Sequence, residues 1–273
     1  MNRGGMRCSV LASGSTGNAV YVEAGKTRVL IDAGIGIRQL CAAFDEIAVG
    51  METLDAVIVT HEHSDHIKGL SALVRRRAGL PIYTSEGTWS HLRRFWRDDE
   101  TVVHRIVRAA TPIALGELVL EPFPLPHDAE EPLGFCLYAG GEKLVLATDL
   151  GYASAAVKDV VKGAHTYILE TNHDVEMLRV GAYPWHLKRR ILGDKGHLSN
   201  DSASEFLCDI LTEDTTSVYL AHLSQENNRP ELADATVSQA LLRMSSRIRE
   251  QIAVSLTSPT KPTKLTWVAA PER

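Results

Sequence analysis

The chain has 273 residues, of which 44% are hydrophobic and 23% are charged, an ordinary composition for a globular protein. Its net charge of −5 argues against broad, non-specific nucleic-acid binding, which usually needs a basic surface, but leaves room for a local basic track. No apolar run approaches the roughly 18 residues of a transmembrane helix, and the N-terminus lacks the apolar core of a signal peptide. We therefore expect a cytoplasmic protein that does not contact the membrane.

In the first third of the chain the pattern of apolar residues predicts short strands and two helices. The predicted strands are residues 7–12, 19–24, 27–32, 54–60 and 81–84, and the predicted helices are residues 37–47 and 67–77. A turn-rich loop, residues 13–18, follows the first strand. The run L-D-A-V-I-V-T at residues 54–60 is typical of a buried strand.

The rest of the chain changes to consecutive strands and then alternates helices with strands. The predicted strands are residues 111–115, 117–125, 134–139, 143–147, 166–169, 217–220 and 264–268, and the predicted helices are residues 155–161, 201–211 and 231–244. No internal repeat or low-complexity linker divides the sequence. We expect one layered α/β domain over residues 1–273, with residues 1–5 as an extension if Met6 is the true start and residues 257–273 as a C-terminal strand and tail.

The four cysteines are far apart in the chain and form no C-x-x-C pair. They are Cys8, Cys41, Cys136 and Cys208. Two disulfide bridges would be expected only in an oxidising compartment, to which nothing else in the sequence points. We therefore expect four buried free thiols.

Three of the eleven histidines stand in residues 60–66, T-H-E-H-S-D-H, between a predicted buried strand and a predicted helix. His61 and His63 are two residues apart on an extended or turning backbone, so their side chains can share one metal. Asp65 and His66 are adjacent where the helix begins, so they diverge from the first pair and can reach a second metal. This spacing differs from H-E-x-x-H, in which two histidines share one helical face.

Neutral imidazole and carboxylate ligands suit zinc, and also manganese or iron. The alternative is a polar loop with solvated histidines, but four ligand-type residues at this spacing directly after a buried strand should be rare by chance. The cluster therefore predicts two divalent metal ions, zinc or manganese, with iron also acceptable.

In this cluster and at four further positions the sequence resembles the metallo-β-lactamase superfamily. The further positions are Asp32 in V-L-I-D-A-G, His127 in P-L-P-H-D, Asp149 in L-A-T-D-L-G and His222 in Y-L-A-H-L-S. Their order along the chain and their places at predicted strand ends match the family's pattern. The resemblance covers nearly the whole chain and implies an α/β fold, the four-layer αββα metallo-β-lactamase sandwich.

The resemblance also implies how the ligands divide between two metal ions. One ion would be held by His61, His63 and His127, and the other by Asp65, His66 and His222. Asp149 would bridge the two ions. Asp32 would orient a ligand without binding metal itself.

A pair of divalent ions about 3.5–4 Å apart can hold a bridging hydroxide as nucleophile and polarise a substrate oxygen. This chemistry cleaves esters, thioesters, lactams or phosphodiesters, so the fold alone does not choose the substrate. Asp149 resembles the nuclease branches of the family, whereas true β-lactamases tend to place Cys at that motif. The complete ligand set therefore favours hydrolysis of phosphodiesters.

An additional histidine, His197 in G-H-L-S, resembles an element of the tRNase Z branch. In that branch the corresponding histidine helps protonate a leaving oxygen, and it works near the Asp that corresponds to Asp65. The alternative is that His197 merely precedes a helix that begins near Ser199. We take Asp65 and His197 as the candidate catalytic residues.

Longer stretches resemble the YycJ/WalJ exonuclease group more narrowly. They are residues 6–18, 61–69, 170–174, 196–200 and 222–228. This resemblance implies a 5′→3′ exonuclease that acts on DNA and is linked to DNA repair. The competing hypothesis is a small-molecule hydrolase of esters, thioesters or cyclic phosphodiesters, which the acidic pI favours. A third, an inactive metal-bearing scaffold, is opposed by the intact ligand set.

Several other residues could contact a substrate. The loop that contains Ser13, Ser15 and Asn18 could cradle a phosphate through backbone N–H groups, although a tight turn between strands explains it equally well. His173 could line the site or pack in the interior. Basic clusters at residues 75–77, 93–97 and 188–190 could bind phosphates if one lies beside the metals, and otherwise form solvated helix faces.

Overall fold

The computed structural model describes residues 4–96 and 102–269. The strands in these residues are β1 Met6–Ala12, β2 Ala19–Ala24, β3 Thr27–Ile31, β4 Ala56–Ile58, β5 Ile82–Thr84, β6 His104–Ile106, β7 Ile113–Leu115, β8 Leu118–Pro124, β9 Leu133–Ala139, β10 Glu142–Ala147, β11 Thr166–Glu170, β12 Ser217–Ala221, β13 Ala253–Leu256 and β14 Thr266–Trp267. The α-helices are α1 Ile37–Glu46, α2 Ser64–Ile67, α3 Leu70–Arg76, α4 Glu86–Leu92, α5 Ala155–Val161, α6 Val175–Val180, α7 Trp185–Leu192, α8 Asn200–Ile210, α9 Pro230–Leu241 and α10 Ser246–Arg249. Met51–Thr53 and Arg93–Phe95 form short 3₁₀ helices.

The strands form two mixed sheets of the same design. The first sheet has the order β14-β1-β2-β3-β4-β5-β6, and the second has the order β13-β12-β11-β10-β9-β8-β7. In each sheet one part is an antiparallel meander, and the strands from β3 to β6 and from β10 to β13 run parallel. Because parallel strands point their carboxyl ends to the same edge, the loops that follow them meet along one edge of each sheet.

The sheets pack face to face, and strand β2 shows how the sequence places one strand between two layers. Val20 and Val22 join a core that also contains Phe135 and Leu137 of the second sheet. Tyr21, on the opposite face, packs among side chains of the outer helices α1 and α3. A strand buried on both faces reads as a continuous apolar run, as β2 does.

Helices cover both outer faces, which completes the four layers. Leu40 and Phe44 of α1 and Leu73 of α3 pack on the first sheet. Val157 of α5, Phe206 of α8 and Val237 of α9 pack on the second sheet. The predicted αββα sandwich is therefore confirmed.

Several local predictions differ from the structure. The predicted helix at residues 67–77 is divided into α2 and α3 at Lys68 and Gly69. Gly69 donates its N–H to the Ala33 carbonyl, and a Cβ at this position would lie 2.2 Å from the Ile35 carbonyl oxygen. No sequence pattern predicted β6, β13 or the helices α4, α6, α7 and α10. The final predicted strand, residues 264–268, shortens to β14.

The cysteines form no disulfide bridge. Cys8 and Cys136 are buried, whereas Cys41 and Cys208 are half-buried, so the prediction of free thiols is confirmed and that of full burial holds for two of them. Among the described residues no helix is both long and apolar enough to cross a membrane.

Candidate metal centre

The predicted site residues meet at one end of the sandwich, each carried there by the end of a strand. Asp32 follows β3, the residues 61–66 follow β4, and His127 follows β8. Asp149 follows β10, and His222 follows β12. The carboxyl ends of the two sheets therefore converge on a single cluster, which is why positions up to 190 residues apart in sequence form one site.

Three of these residues adopt a strained backbone conformation. Asp32, Asp149 and His222 have φ angles of 61°, 65° and 55°, in the left-handed region that non-glycine residues rarely adopt. Each stands one or two residues beyond the end of its strand, where the chain turns sharply into the cluster. Such strain persists only where the surroundings fix it, and it concentrates at functional sites.

The first ligand group consists of His61, His63 and His127, whose ring nitrogens lie within 4.8 Å of one another. His127 Nε2 is 3.2 Å from His63 Nδ1, and His127 Nδ1 is 3.2 Å from the Gly196 carbonyl oxygen. Burial lowers the pKa of His61 well below its ordinary value and also lowers the pKa of His127. Both rings are therefore neutral and offer a lone pair.

The second group consists of Asp65, His66 and His222. Asp65 Oδ2 lies 3.5 Å from His66 Nε2 and 3.4 Å from His222 Nε2. Burial opposes ionisation of Asp65, but hydrogen bonds with His222 and His66 hold its pKa below its ordinary value. Asp65 is therefore an ionised acceptor inside the cluster.

Asp149 lies between the two groups. Its Oδ2 is 3.3 Å from His66 Nε2, and its Oδ1 is 3.4 Å from His222 Nδ1 and 3.9 Å from His127 Nε2. Burial opposes ionisation here too, but in the cluster before a metal binds, the attraction of His222 and His66 holds the pKa of Asp149 well below its ordinary value. One buried carboxylate thus faces ligand atoms of both groups.

Two orphaned atoms test whether these residues fit a metal. His61 Nε2 and Asp149 Oδ2 are buried, and neither has a hydrogen-bond partner among the described residues. A buried polar atom without a partner costs free energy, which a coordinated cation would remove. Nitrogen and carboxylate donors also suit divalent transition metals. The cluster therefore fits divalent metal binding.

Asp32 stands behind the second group rather than in it. Its Oδ1 accepts the Thr60 N–H at 2.8 Å, and its Oδ2 is 2.7 Å from His66 Nδ1 and 2.9 Å from the Thr60 hydroxyl. A carboxylate that binds the far nitrogen of an imidazole fixes its orientation and leaves Nε2 free to act as a ligand. The contacts of Asp32 suit an orienting role, which stays a prediction.

Glu170, the last residue of β11, is the functional candidate that the sequence analysis missed. Its Oε1 is 2.8 Å from Nδ1 of both His197 and His222, and its Oε2 accepts the N–H groups of Leu150 and Leu198. Burial opposes ionisation, but His197 and His222 lower the pKa of Glu170 to about 2. The sequence did indicate that Glu170 stands at the end of a buried strand. The carboxyl end of that strand lies at the same edge of the sheet as the ligands.

His197 lies inside the cluster and is only slightly exposed. Its ring centroid is 5.1 Å from that of His127, and its Nδ1 is 3.8 Å from Asp149 Oδ1. Burial opposes protonation, but the Glu170 carboxylate raises the pKa of His197 above its ordinary value. The residue also precedes α8, whose N-cap is Ser199. Its position therefore fits both a catalytic role and a place just before a helix.

The residues predicted to contact substrate have other partners in the structure. The Ser13 hydroxyl accepts the His222 N–H at 2.7 Å and donates to Asn18 Oδ1 at 3.3 Å. Asn18 Nδ2 lies 3.2 Å from His66 Nε2, and the Asn18 N–H donates to the Asp65 carbonyl. Ser13 and Asn18 therefore support the ligand-bearing loops, and their contact with substrate stays a prediction.

The two remaining candidates differ in exposure. Ser15 is exposed at the tip of the same loop. His173 is buried, and neither of its ring nitrogens has a hydrogen-bond partner among the described residues. Its side chain lies near Glu170 and His197. Substrate contact by either residue stays a prediction.

Some basic residues of the three predicted clusters hold helices together, and others lie near the metal cluster. Lys188 is buried and donates to the Arg179 and Gly181 carbonyls, which joins α6 to α7. Arg190 pairs with Asp128, whose Oδ1 lies 3.4 Å from His127 Nε2. Arg93 and Arg94 begin the 3₁₀ helix after α4, whereas residues 75–77 lie at the end of α3. Arg97 lies outside the described residues.

Comparison with known proteins agrees with this geometry. A family model described as a beta-lactamase superfamily domain matches residues 27–223. The chain is 42% identical to the exodeoxyribonuclease YycJ of Bacillus anthracis, over 97% of this chain and 100% of that protein. It is 39% identical to the exodeoxyribonuclease WalJ of Streptococcus pneumoniae, over 98% and 100%.

Solved structures share the fold at low sequence identity. The metallo-β-lactamase fold protein YhfI of Bacillus subtilis superposes with a TM-score of 0.69 at 16% identity, over 94% of this chain and 98% of that chain. The short form of human tRNase Z superposes with a TM-score of 0.66 at 16% identity, over 95% and 99%. The chain therefore belongs to the beta-lactamase superfamily and, within it, to the family of YycJ and WalJ.

Proposed function

We propose that this protein is a two-metal phosphodiesterase that degrades DNA as a 5′→3′ exonuclease. The observation that carries the proposal is the convergence of seven ligand-type side chains on one cluster, with His197 beside it. The names of relatives that are 39–42% identical over almost the whole chain, both exodeoxyribonucleases, support the reaction and the substrate. The 5′→3′ polarity rests on the resemblance to that group.

The two ions would divide the ligands as the side chains are grouped. His61, His63 and His127 would hold one ion, Asp65, His66 and His222 the other, and Asp149 would face both. Zinc or manganese suits this donor set best, and iron is acceptable. When bound, two such ions lower the pKa of coordinated water and polarise a phosphoryl oxygen.

Asp65 combines a ligand position with a hydrogen-bond acceptor at the centre of the cluster. Its carboxylate is ionised, and its side chain is partly exposed, so it can accept a hydrogen bond from a water at the cluster. The carbonyl of the same residue accepts the Asn18 N–H, which fixes the loop that carries it. We assign Asp65 the task of orienting the attacking water.

His197 is the group best suited to protonate the leaving oxygen. Because its Nδ1 is engaged by Glu170, the proton on Nε2 is the one available for transfer. Glu170 stabilises the charged imidazolium and also holds His222, so it acts as a positioning residue for both. An alkoxide leaving group benefits from such a general acid by roughly 10²–10⁴-fold.

A substrate panel tests this proposal against its main alternative. Metal-loaded protein would be offered linear DNA, RNA, a cyclic dinucleotide, a thioester and a carboxylic ester under the same conditions. Degradation of DNA at the highest kcat/KM supports the proposal. Turnover of a small ester, thioester or cyclic phosphodiester without degradation of DNA contradicts it and favours a small-molecule hydrolase, which the net charge of −5 would suit.

Three further expectations accompany the proposal. A part in DNA repair follows from the resemblance to the YycJ/WalJ group, and the cytoplasmic location stays an expectation from the sequence. We also propose that residues 1–273 form a single domain, because both sheets supply ligands to one cluster.

A further inference from the structure

A groove leads from the metal cluster along α2 toward the 3₁₀ helix that follows α4. The first part is a cavity of about 650 Å³, within the range of roughly 300–1,000 Å³ that is typical of small-molecule sites. Its lining includes His63, Ser64, Ile67, Arg94, Phe95 and Lys195. A second cavity of about 260 Å³ shares Ser64, Ile67 and Phe95 and extends the groove to Lys68 and Trp96. The groove thus connects a metal-cluster histidine with an aromatic surface.

Phe95 is the feature of this groove that packing does not explain. The residue is 43% exposed, although it borders both cavities. The Arg94 guanidinium lies over its ring, 5.5 Å from the centroid. An exposed aromatic ring beside a cation is the arrangement on which unpaired bases stack in single-strand-binding proteins.

The described lining of the groove carries charges of both signs, three cations and three carboxylates, and the cations have no ion-pair partner. Within residues 4–96 and 102–269, Arg94, Lys195 and Lys68 form no ion pair. Of the carboxylates on the rim, Asp128 pairs with Arg190, Glu130 Oε1 lies 3.4 Å from His91 Nε2, and Glu62 accepts the Glu130 N–H at 2.9 Å. Arg94, Lys195 and Lys68 are therefore the cations of this groove that a phosphate can reach, although the lining as a whole is not basic.

We propose that this groove holds an unpaired stretch of the nucleic-acid strand next to the scissile bond, with a base stacked on Phe95 and phosphates bound by Arg94 and Lys195. The inference rests on the proposed function and extends it to the form of the substrate. A base within a duplex is stacked on both faces and cannot lie on Phe95, so the strand must be single-stranded or frayed where it enters.

Binding of a short oligothymidylate with nuclease-resistant phosphorothioate linkages, measured by fluorescence anisotropy with metal-loaded protein, tests this proposal. Phe95→Ala should raise Kd by about 5- to 100-fold, because it removes the stacking of one base. Phe95→Trp should keep the wild-type Kd. Arg94→Ala and Lys195→Ala should each lower the slope of log Kd against log salt by about one. Trp185→Ala is the control, because Trp185 is an exposed aromatic that does not line the groove and should leave Kd unchanged.

The outcomes separate this proposal from the proposed function. If Phe95→Ala and Arg94→Ala bind the oligonucleotide and degrade DNA as wild type does, the groove is not the strand site, although the nuclease proposal stands. A loss of affinity in Trp185→Ala without one in Phe95→Ala also overturns it. If wild type degrades no nucleic acid yet Phe95→Ala weakens binding as expected, the groove stands and the nuclease proposal fails.

Discussion

The Oε1 atom of Glu170 lies 2.8 Å from Nδ1 of His197, and the same carboxylate bonds a second imidazole and two backbone N–H groups. Four donors thus converge on one buried side chain. A carboxylate can accept all four, whereas the amide of glutamine has one oxygen and must turn its NH₂ group toward two of them. Glu170 is therefore a position where charge and hydrogen-bonding capacity matter more than shape.

The variant Glu170→Gln should consequently lose roughly 10- to 100-fold in metal affinity or in kcat, the usual effect of removing a carboxylate behind a metal-bound histidine. Metal affinity is measured by titration against a fluorescent chelator, and kcat by DNA degradation. A purely packing role would leave both unchanged, since glutamine has nearly the same volume.

For His197→Ala we expect both metals to remain bound and turnover of DNA to fall by roughly 10²–10⁴-fold. A p-nitrophenyl phosphodiester should show a much smaller defect, because p-nitrophenolate leaves without a proton. Steady-state rates on the two substrates test this directly. An equal loss on both would mean that His197 acts on something other than the leaving group.

Removal of a central ligand by Asp65→Ala should abolish hydrolysis and lower the metal content of the purified protein. The carboxylate faces both His66 and His222, so its loss removes one donor and the negative charge that favours a cation. Elemental analysis after exhaustive dialysis gives the metal content. Asp45→Ala, at an exposed position of α1, is the matched control and should keep the wild-type content.

A backbone contact predicts that a glycine without any ligand atom also controls the site. A Cβ on Gly34 would lie 1.7 Å from the Asp65 carbonyl oxygen, so Gly34→Ala must displace the ligand-bearing loop. We expect a loss of roughly 1–3 kcal/mol in the free energy of unfolding, together with reduced metal content. Gly36→Ala should be tolerated, because nothing lies within 4 Å of its Cβ. Equal behaviour of the two variants would refute this account of Gly34.

The stability of the first sheet should depend on the protonation of His104, which stacks on Trp89 with ring centroids 3.8 Å apart. Burial lowers the pKa of His104 to about 4, below its unfolded value of about 6.5, so the folded state favours the neutral ring. Protonation therefore destabilises the fold increasingly as the pH falls from 6.5 to 4, and the effect is absent above this window.

Urea unfolding of wild type and His104→Gln at several pH values between 7.5 and 4.5 measures this contribution. The variant should be the less stable at pH 7.5, where it lacks the stacked ring, and the difference should shrink toward acidic pH. A difference that is constant with pH would contradict the assignment. Because both proteins carry the same metal-cluster histidines, titration of those groups cancels in the comparison.

The parts of the site that follow a short local pattern were predictable from the sequence. Residues 61–66 carry three histidines and two carboxylates within six positions, and the spacing of His61, His63, Asp65 and His66 indicates two diverging pairs. His127, Asp149 and His222 are isolated in sequence, so their assignment depended on resemblance. The structure unites them because each follows a strand whose carboxyl end reaches the same edge.

The contacts between distant parts of the chain were not predictable. The place of Glu170 at the end of a buried strand indicated the ligand edge, but only the packing of β11 against β10 and β12 brings its carboxylate to His197 and His222. The break between α2 and α3 arises from the close approach of Gly69 to Ala33 and Ile35, which helical periodicity does not encode. The contact of the Ser13 hydroxyl with the His222 N–H joins two strand ends that lie 209 residues apart in sequence, so no local pattern indicates it.

The central claim, a two-metal exonuclease that begins at the 5′ end, is tested most directly by digestion of linear duplex DNA labelled separately at each end. Wild type loaded with Mn²⁺ or Zn²⁺ should release the 5′ label first as mononucleotides and shorten the 3′-labelled strand stepwise, and Asp65→Ala should leave both labels intact. Internal cuts, loss from the 3′ end, or no digestion by protein shown to contain metal would contradict the account.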